Sequence, residues 1–173
     1  FLSPRQPVDL LALTQRFGWQ ELVIKPTVSA GARGTLRLSL SQPAEAQQAL
    51  DQALAKEAML LQPFLPSVLS QGELSLMLIA GRVSHAIRKT PREGDFRVQD
   101  DHGGQVHAYT PSAEEITFAE AAVAACVVTP LYARVDVLRD EANRLRLIEL
   151  ELIEPELFFR FNPAAATTLA QQI

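Results

Sequence analysis

Two hairpins restrict this chain to antiparallel pairing. GELSLMLIA and VSHAIRKT are strand-like apolar runs that flank Gly81 and Arg82, the spacing of a two-residue hairpin with glycine first. PLYARVDVLRD and RLRLIELELI make a second such pair around residues 140–143. A parallel crossover needs a dozen residues or more, so connections this short can only join antiparallel strands. Helices are interleaved with these strands. Residues 5–18 carry apolar positions at helical spacing, with Asp9 near the start and Gly18 as the stop. Residues 43–58 open on Pro43 and are rich in Ala, Gln, Leu and Glu. Residues 112–126 begin with a capping box, Ser112 and Glu115, and the tail PAAATTLAQQI reads as a last helix. ELVIKP, TLRLSL and MLLQPFLP are further strands, the last broken at Pro63 and Pro66. This order predicts an α+β chain and excludes a doubly wound parallel sheet.

At 173 residues, 47% of them hydrophobic, the chain is long enough for a real core. Its net charge of −4, with basic residues scattered, excludes a nucleic-acid footprint. No apolar stretch approaches the ~18–20 residues of a membrane span. Cys126 is the single cysteine, so no intrachain disulfide can form, and a reducing, cytoplasmic location is expected. Cys126 should pack on the apolar side of its helix rather than react.

Four places could carry chemistry. Glu149 and Glu151, two apart on a strand, share a face, as do Arg134 and Asp136 on its hairpin partner. With a four-residue loop, Arg134 falls opposite Glu149 and Asp136 one diagonal away. Three carboxylates on one patch suit Mg²⁺, which takes oxygen ligands; a solvated face balanced by Arg134, Arg144 and Arg146 fits the pattern equally. Lys25 ends an apolar strand before the loop SAGARGT, which could wrap a phosphate chain or simply be a hairpin connection. The broken run at Pro63 and Pro66 leaves backbone groups for a planar heterocycle, or is a bent crossover. Finally, residues 91–111 show little periodicity and hold three of the eight glycines, as a long functional loop does. Within and beside it, Lys89 and Arg97 could meet anionic oxygens. No spacing among His85, His102 and His107 supports a zinc site.

Taken in order, VIKPTVSAGARGT, LLQPFL, the hairpin leading to GDFRVQ and HGG, and YARVDV with LIELELIEPELF resemble the ATP-grasp superfamily. Among its glutathione synthetase-like members, they look most like the group that includes the cyclo-ligase of cycloserine biosynthesis. The resemblance runs from about Leu22 to Phe159. It implies two α+β lobes with antiparallel sheets and ATP between them: residues 1–61 as the smaller lobe, 62–66 as an adenine-binding linker, and 67–173 as the larger lobe. It also implies that an N-terminal substrate domain, and a further ATP-binding lysine, precede the present Phe1 in a longer enzyme.

By the same resemblance, Lys25 contacts the α-phosphate and adenine edge, and Gly31, Arg33, Gly34 and Thr35 belong to a mobile loop over the β- and γ-phosphates. Gln62, Pro63, Phe64 and Leu65 hold adenine, and Glu73 holds the ribose hydroxyls. Arg97 and Lys89 are the catalytic basic residues at the transferring phosphoryl group. Asp136, Glu149 and Glu151 are the magnesium ligands; members commonly have Asn where this chain has Glu151. The implied activity is an ATP- and Mg²⁺-dependent ligase, with Mn²⁺ as an alternative ion, joining a carboxylate to an amine or thiol through an acyl phosphate. Its substrate is a small carboxylate, amino-acid or peptide-like, with Arg134 or Arg88 as candidates to hold the acid group. A phosphotransferase (kinase) on the same scaffold and a non-catalytic binding module are the alternatives. The sequence leaves open whether the chain forms a homo-oligomer.

Overall fold

In the computed structural model, which describes residues 1–99 and 102–173, the chain folds as two units, Phe1–Phe64 and Leu65–Ile173. Asp100 and Asp101, in the long polar stretch, lie outside the described residues.

In the first unit, β1 (Glu21–Pro26) is the middle strand of an antiparallel sheet, between β2 (Leu36–Ser39) and β3 (Met59–Pro63). Helix α1 (Leu10–Phe17) starts where the Asp9 side chain accepts the Ala12 amide. It stops at Gly18, whose φ of 70° only glycine adopts readily. The Asp9 cap makes this helix begin five residues later than the periodicity predicts. Helix α2 (Pro43–Leu54) likewise ends before residue 58. Leu10, Leu22, Ile24, Leu50 and Met59 fill the core of this unit, and burying each side chain stabilises by roughly 1.5–3 kcal/mol.

In the second unit, five antiparallel strands lie in the order β6-β5-β4-β7-β8. They are β4 (Glu73–Ile79), β5 (Arg82–Thr90), β6 (Gln105–Tyr109), β7 (Tyr132–Arg139) and β8 (Leu145–Glu151). A short helix, α3 (Ser67–Gln71), leads into β4, and α5 (Pro163–Ala170) closes the chain. Helix α4 (Ala113–Ala124) opens on the expected capping box: Ser112 accepts the Glu115 amide while Glu115 accepts the Ser112 amide. Its Ala119 and Val123 pack on Leu74, Leu76, Leu78, Val135 and Val137, which all point to one face of the sheet. The alternate residues Glu73, Ser75, Met77, Lys89 and Asp136 therefore share the opposite face. Cys126 lies just past the end of α4, half-buried, and not on the helix as expected.

Three local differences from the sequence reading have physical causes. The first hairpin turns on Ala80 and Gly81, whose φ values of 48° and 77° are both positive. Such a turn matches the strand twist, and it starts β5 at Arg82. The stretch 91–111 is not structureless throughout, because β6 pairs along the free edge of β5; an edge strand this exposed has little apolar periodicity to reveal it. The β7–β8 connection is closed by the Asp140 amide on the Arg144 carbonyl, which leaves a three-residue loop, 141–143, inside that pair, with Asn143 at φ 60°.

Asp140 stabilises that loop by accepting the Arg144 amide and the guanidinium groups of Arg144 and Arg146. The Arg144 backbone bond is the largest cause of its lowered pKa, about 2 against an ordinary 3.8. A depressed carboxylate pKa adds stability above the unfolded value, lost as pH falls through the folded one. Asp140→Asn should therefore lower the melting temperature at neutral pH, and the gap to wild type should close between about pH 4 and 2. Melting curves across that range check it; a gap independent of pH would remove the charge from the explanation.

Candidate metal and nucleotide site

The face of the second sheet that α4 does not cover gathers acids and bases from four strands. Register sets who meets whom. Glu73 of β4 lies across from Lys89 of β5, and Ser75 lies across from Asp136 of β7. On the far side, Asp136 faces Glu149 and Arg134 faces Glu151 of β8. The sequence reading placed Arg134 opposite Glu149. Two one-residue shifts separate that expectation from the structure: the three-residue loop, and a bulge in β8 next to Asp136 and Val137. One shift alone would turn the glutamates to the other face. Together they restore the face and slide the partners by one pair.

Lys89, 6% exposed, reaches Glu73 at 2.6 Å and Asp136 at 3.5 Å. Arg134 Nε lies 3.1 Å from both Asp136 oxygens, its Nη2 is 3.0 Å from Oδ2, and it also donates to Glu151. Burial pushes the Glu73 carboxyl up, and Asp136 and Glu149 add like-charge repulsion that Lys89 only partly offsets. Burial also raises the Glu151 carboxyl, against the pull of Arg134. For Asp136 the balance reverses: despite burial, Lys89 and Arg134 hold its carboxyl below the usual range. Burial works against the Lys89 ammonium, but Glu73 and Asp136 outweigh it and raise its pKa. Lys89 and Asp136 are thus a charged pair in the interior.

Among the described residues, Glu73, Asp136, Glu149 and Glu151 gather here with Lys89 and Arg134 among them. Asp136, Glu149 and Glu151 bring their ligand oxygens within 4.8 Å of one another. The all-oxygen donor set fits a hard divalent cation. Arg134 already donates to two of these carboxylates, so an arriving ion competes with it.

Arg97 pairs with Asp95 in its own loop, Nη2 to Oδ2 at 2.8 Å, and among the described residues not with the carboxylate cluster. Asp95 also accepts the Phe96 and Arg97 amides, and the Arg97 guanidinium is the largest cause of its strongly lowered pKa. The HGG segment folds back on the same loop through the His102 and Gly104 amides, which donate to the Gln99 carbonyl. A Cβ on Gly104 would sit 2.1 Å from the Val98 carbonyl oxygen.

In the first unit, Lys25 shares its strand face with Val23, opposite the core residues Leu22 and Ile24. Gly31, Ala32 and Gly34 all have positive φ in a tight turn, closed by the Arg33 and Thr35 amides. Arg33 is bound to Glu57 at 2.9 Å and to the Val28 carbonyl. Gln62 and Pro63 belong to β3, paired with Val23 and Leu22. Beside the proline break, the Phe64 amide donates to the Glu21 carbonyl, so the strand ladder runs one residue beyond Pro63. Its ring is buried under Arg37. Leu65 begins the second unit, where its carbonyl accepts the Val68 amide.

Sequence reasoning missed Asp95 and Ser75. Asp95, two residues before Arg97 in a turn-forming GDFR, carried a local signal as an Asx turn. Ser75, a lone hydroxyl in a wholly buried strand, did not.

Residues 4–155 match the RimK-like ATP-grasp domain. The chain is 31% identical over 169 residues to the cycloserine biosynthesis protein DcsG of Streptomyces lavendulae, covering 89% of this chain and 54% of that protein. The crystal structure of D-cycloserine synthetase DcsG is similar with a TM-score of 0.84 and 28% identity, over 99% of this chain and 61% of the other. The D-alanine–D-alanine ligase of Bacillus anthracis shares the fold at a TM-score of 0.68 and 16% identity, over 99% of this chain and 58% of that one. This chain spans little more than half the length of these relatives. The fold is the ATP-grasp fold, and the chain belongs to the RimK-like ATP-grasp domain family.

Proposed function

We propose that this chain is the nucleotide- and metal-binding part of a ligase that uses ATP to join a carboxylate to an amine or similar nucleophile. The observation that carries the reading is the carboxylate cluster Asp136, Glu149 and Glu151, with three oxygen ligands converging on one sheet face. Asp136, Glu149 and Glu151 would hold Mg²⁺, or Mn²⁺ in its place. The ion, when bound, would neutralise phosphate charge. Support comes from the ATP-grasp ligase PsnB, similar in fold at a TM-score of 0.64 and 19% identity, which was captured with Mg and ADP.

The other roles follow from where the side chains stand. Arg97, oriented by Asp95, presents a guanidinium for the transferring phosphoryl group and for the acyl phosphate of a glutathione synthetase-like reaction. Lys89 acts by holding Glu73 and Asp136, and Glu73 is the acid assigned to the ribose hydroxyls. Lys25, the turn of Gly31, Arg33, Gly34 and Thr35, and the segment Gln62–Leu65 are the proposed nucleotide contacts outside the cluster. The substrate is a small amino-acid or peptide-like carboxylate. Among the described residues, no helix is long and apolar enough to cross a membrane.

A thermal-shift titration with ADP, with and without Mg²⁺, tests the nucleotide and metal part of this reading. About 100-fold saturation should stabilise the fold by roughly 2.7 kcal/mol. Most of that shift should require the metal. A shift of the same size in EDTA would overturn the metal assignment, and a longer chain carrying the same site but giving no shift would overturn the nucleotide assignment.

A further inference from the structure

Ser75 is the one polar residue of the buried strand β4 that the proposed chemistry leaves unused. The strand is central, and all seven of its residues are buried. Ser75 is 0% exposed, and its Oγ has no hydrogen bond of ordinary geometry. A hydroxyl sealed from water without a partner costs about 1–3 kcal/mol, so its position calls for a reason. Across β4–β5 its neighbour is Ile87, which offers nothing polar; across β4–β7 it is Asp136. Directly paired side chains lie about 4.5–5.5 Å apart at Cβ. Of its two described cross-strand partners, the Asp136 carboxylate is therefore the one that a rotation of the Ser75 hydroxyl can serve.

We infer that Ser75 is a positioning residue for the metal-binding carboxylate, a role that rests on the metal site proposed above. Asp136 now takes its hydrogen bonds from Arg134 and Lys89. A divalent cation seated on Asp136 and Glu151 repels both donors. Ser75, neutral and fixed in the sheet, is the donor that remains, and it turns one carboxylate oxygen toward itself and the other toward the ion. Partners of this kind typically change metal affinity 10–100-fold.

The test compares wild type, Ser75→Ala and Ser75→Cys by Mn²⁺ titration in the presence of ADP, with melting temperatures measured alongside. Ser75→Ala should weaken Mn²⁺ binding about tenfold or more while leaving the melting temperature equal or higher, since it removes an unpaired buried hydroxyl. Ser75→Cys, a weak donor of similar size, should fall between the two. Unchanged Mn²⁺ affinity in Ser75→Ala, with wild type binding the ion, would overturn the role of Ser75 alone. A wild type that takes up no Mn²⁺ would overturn the metal site itself, and the inference with it. Equal losses of affinity in Ser75→Ala and Ser75→Cys, each with a lowered melting temperature, would assign Ser75 to packing.

Discussion

Replacing Asp136 with asparagine should abolish metal-dependent nucleotide binding while the protein stays folded. The amide keeps the shape and the acceptor oxygen of the carboxylate but loses its charge. Outer-shell partners already change metal affinity 10–100-fold, so loss of a charged ligand should cost at least about 100-fold. The choice of substitution matters because Asp136 is 1% exposed and sits between two cations. Asp136→Ala would leave Lys89 and Arg134 without that partner, and breaking a buried pair costs about 3–5 kcal/mol. Each cation keeps one other acid, Glu73 or Glu151, which puts the expected loss near the lower end. Mn²⁺ titration with ADP, beside melting curves for both variants, separates the effects. If Asp136→Asn binds Mn²⁺ like wild type, Asp136 is not a ligand, whatever happens to stability.

Gly72→Ala should be among the most destabilising single changes in the second unit. Gly72 has φ 73° and ψ 180°, a conformation open essentially to glycine alone, which costs other residues about 1–3 kcal/mol. A Cβ there would also lie 2.4 Å from the Lys89 carbonyl oxygen, a backbone atom in the middle of the sheet. Overpacking of this kind costs about 1–3 kcal/mol more. The sum, roughly 2–6 kcal/mol, is a large share of the ~5–15 kcal/mol that holds a domain together. In a unit of this size it should lower the melting temperature by about 10 °C or more. The two strands forced apart carry Glu73 on β4 and Lys89 on β5, so metal affinity should fall together with stability. Gly94→Ala is the internal comparison: its φ is 81°, but a Cβ there meets nothing within 4 Å. Equal losses in the two variants would mean that backbone conformation alone, and not the approach of Lys89, sets the cost.

What the sequence determined by itself was whatever depends on neighbours in the chain. Ser112 and Glu115 cap α4, Gly18 ends α1, and Glu149 shares a face with Glu151, because helix caps, turns and strand alternation act over two to four residues. The two hairpins followed from turn length, and the antiparallel α+β fold followed from them. The tertiary structure decided everything that depends on register and burial. A loop of three residues and one bulge set Arg134 against Glu151 and Asp136 against Glu149, and neither leaves a mark in the alternation of YARVDV or LIELELI. Burial turned Lys89 from a basic residue near a loop into the ammonium that holds Glu73 and Asp136 together. It also made Ser75 and Gly72 matter, the one sealed beside a carboxylate and the other pressed against a strand seventeen residues further along the chain. Contacts of this range reward the chain only after the sheet has closed. The carboxylate cluster is therefore a property of the folded sheet, where strands from four parts of the chain bring their acids onto one face.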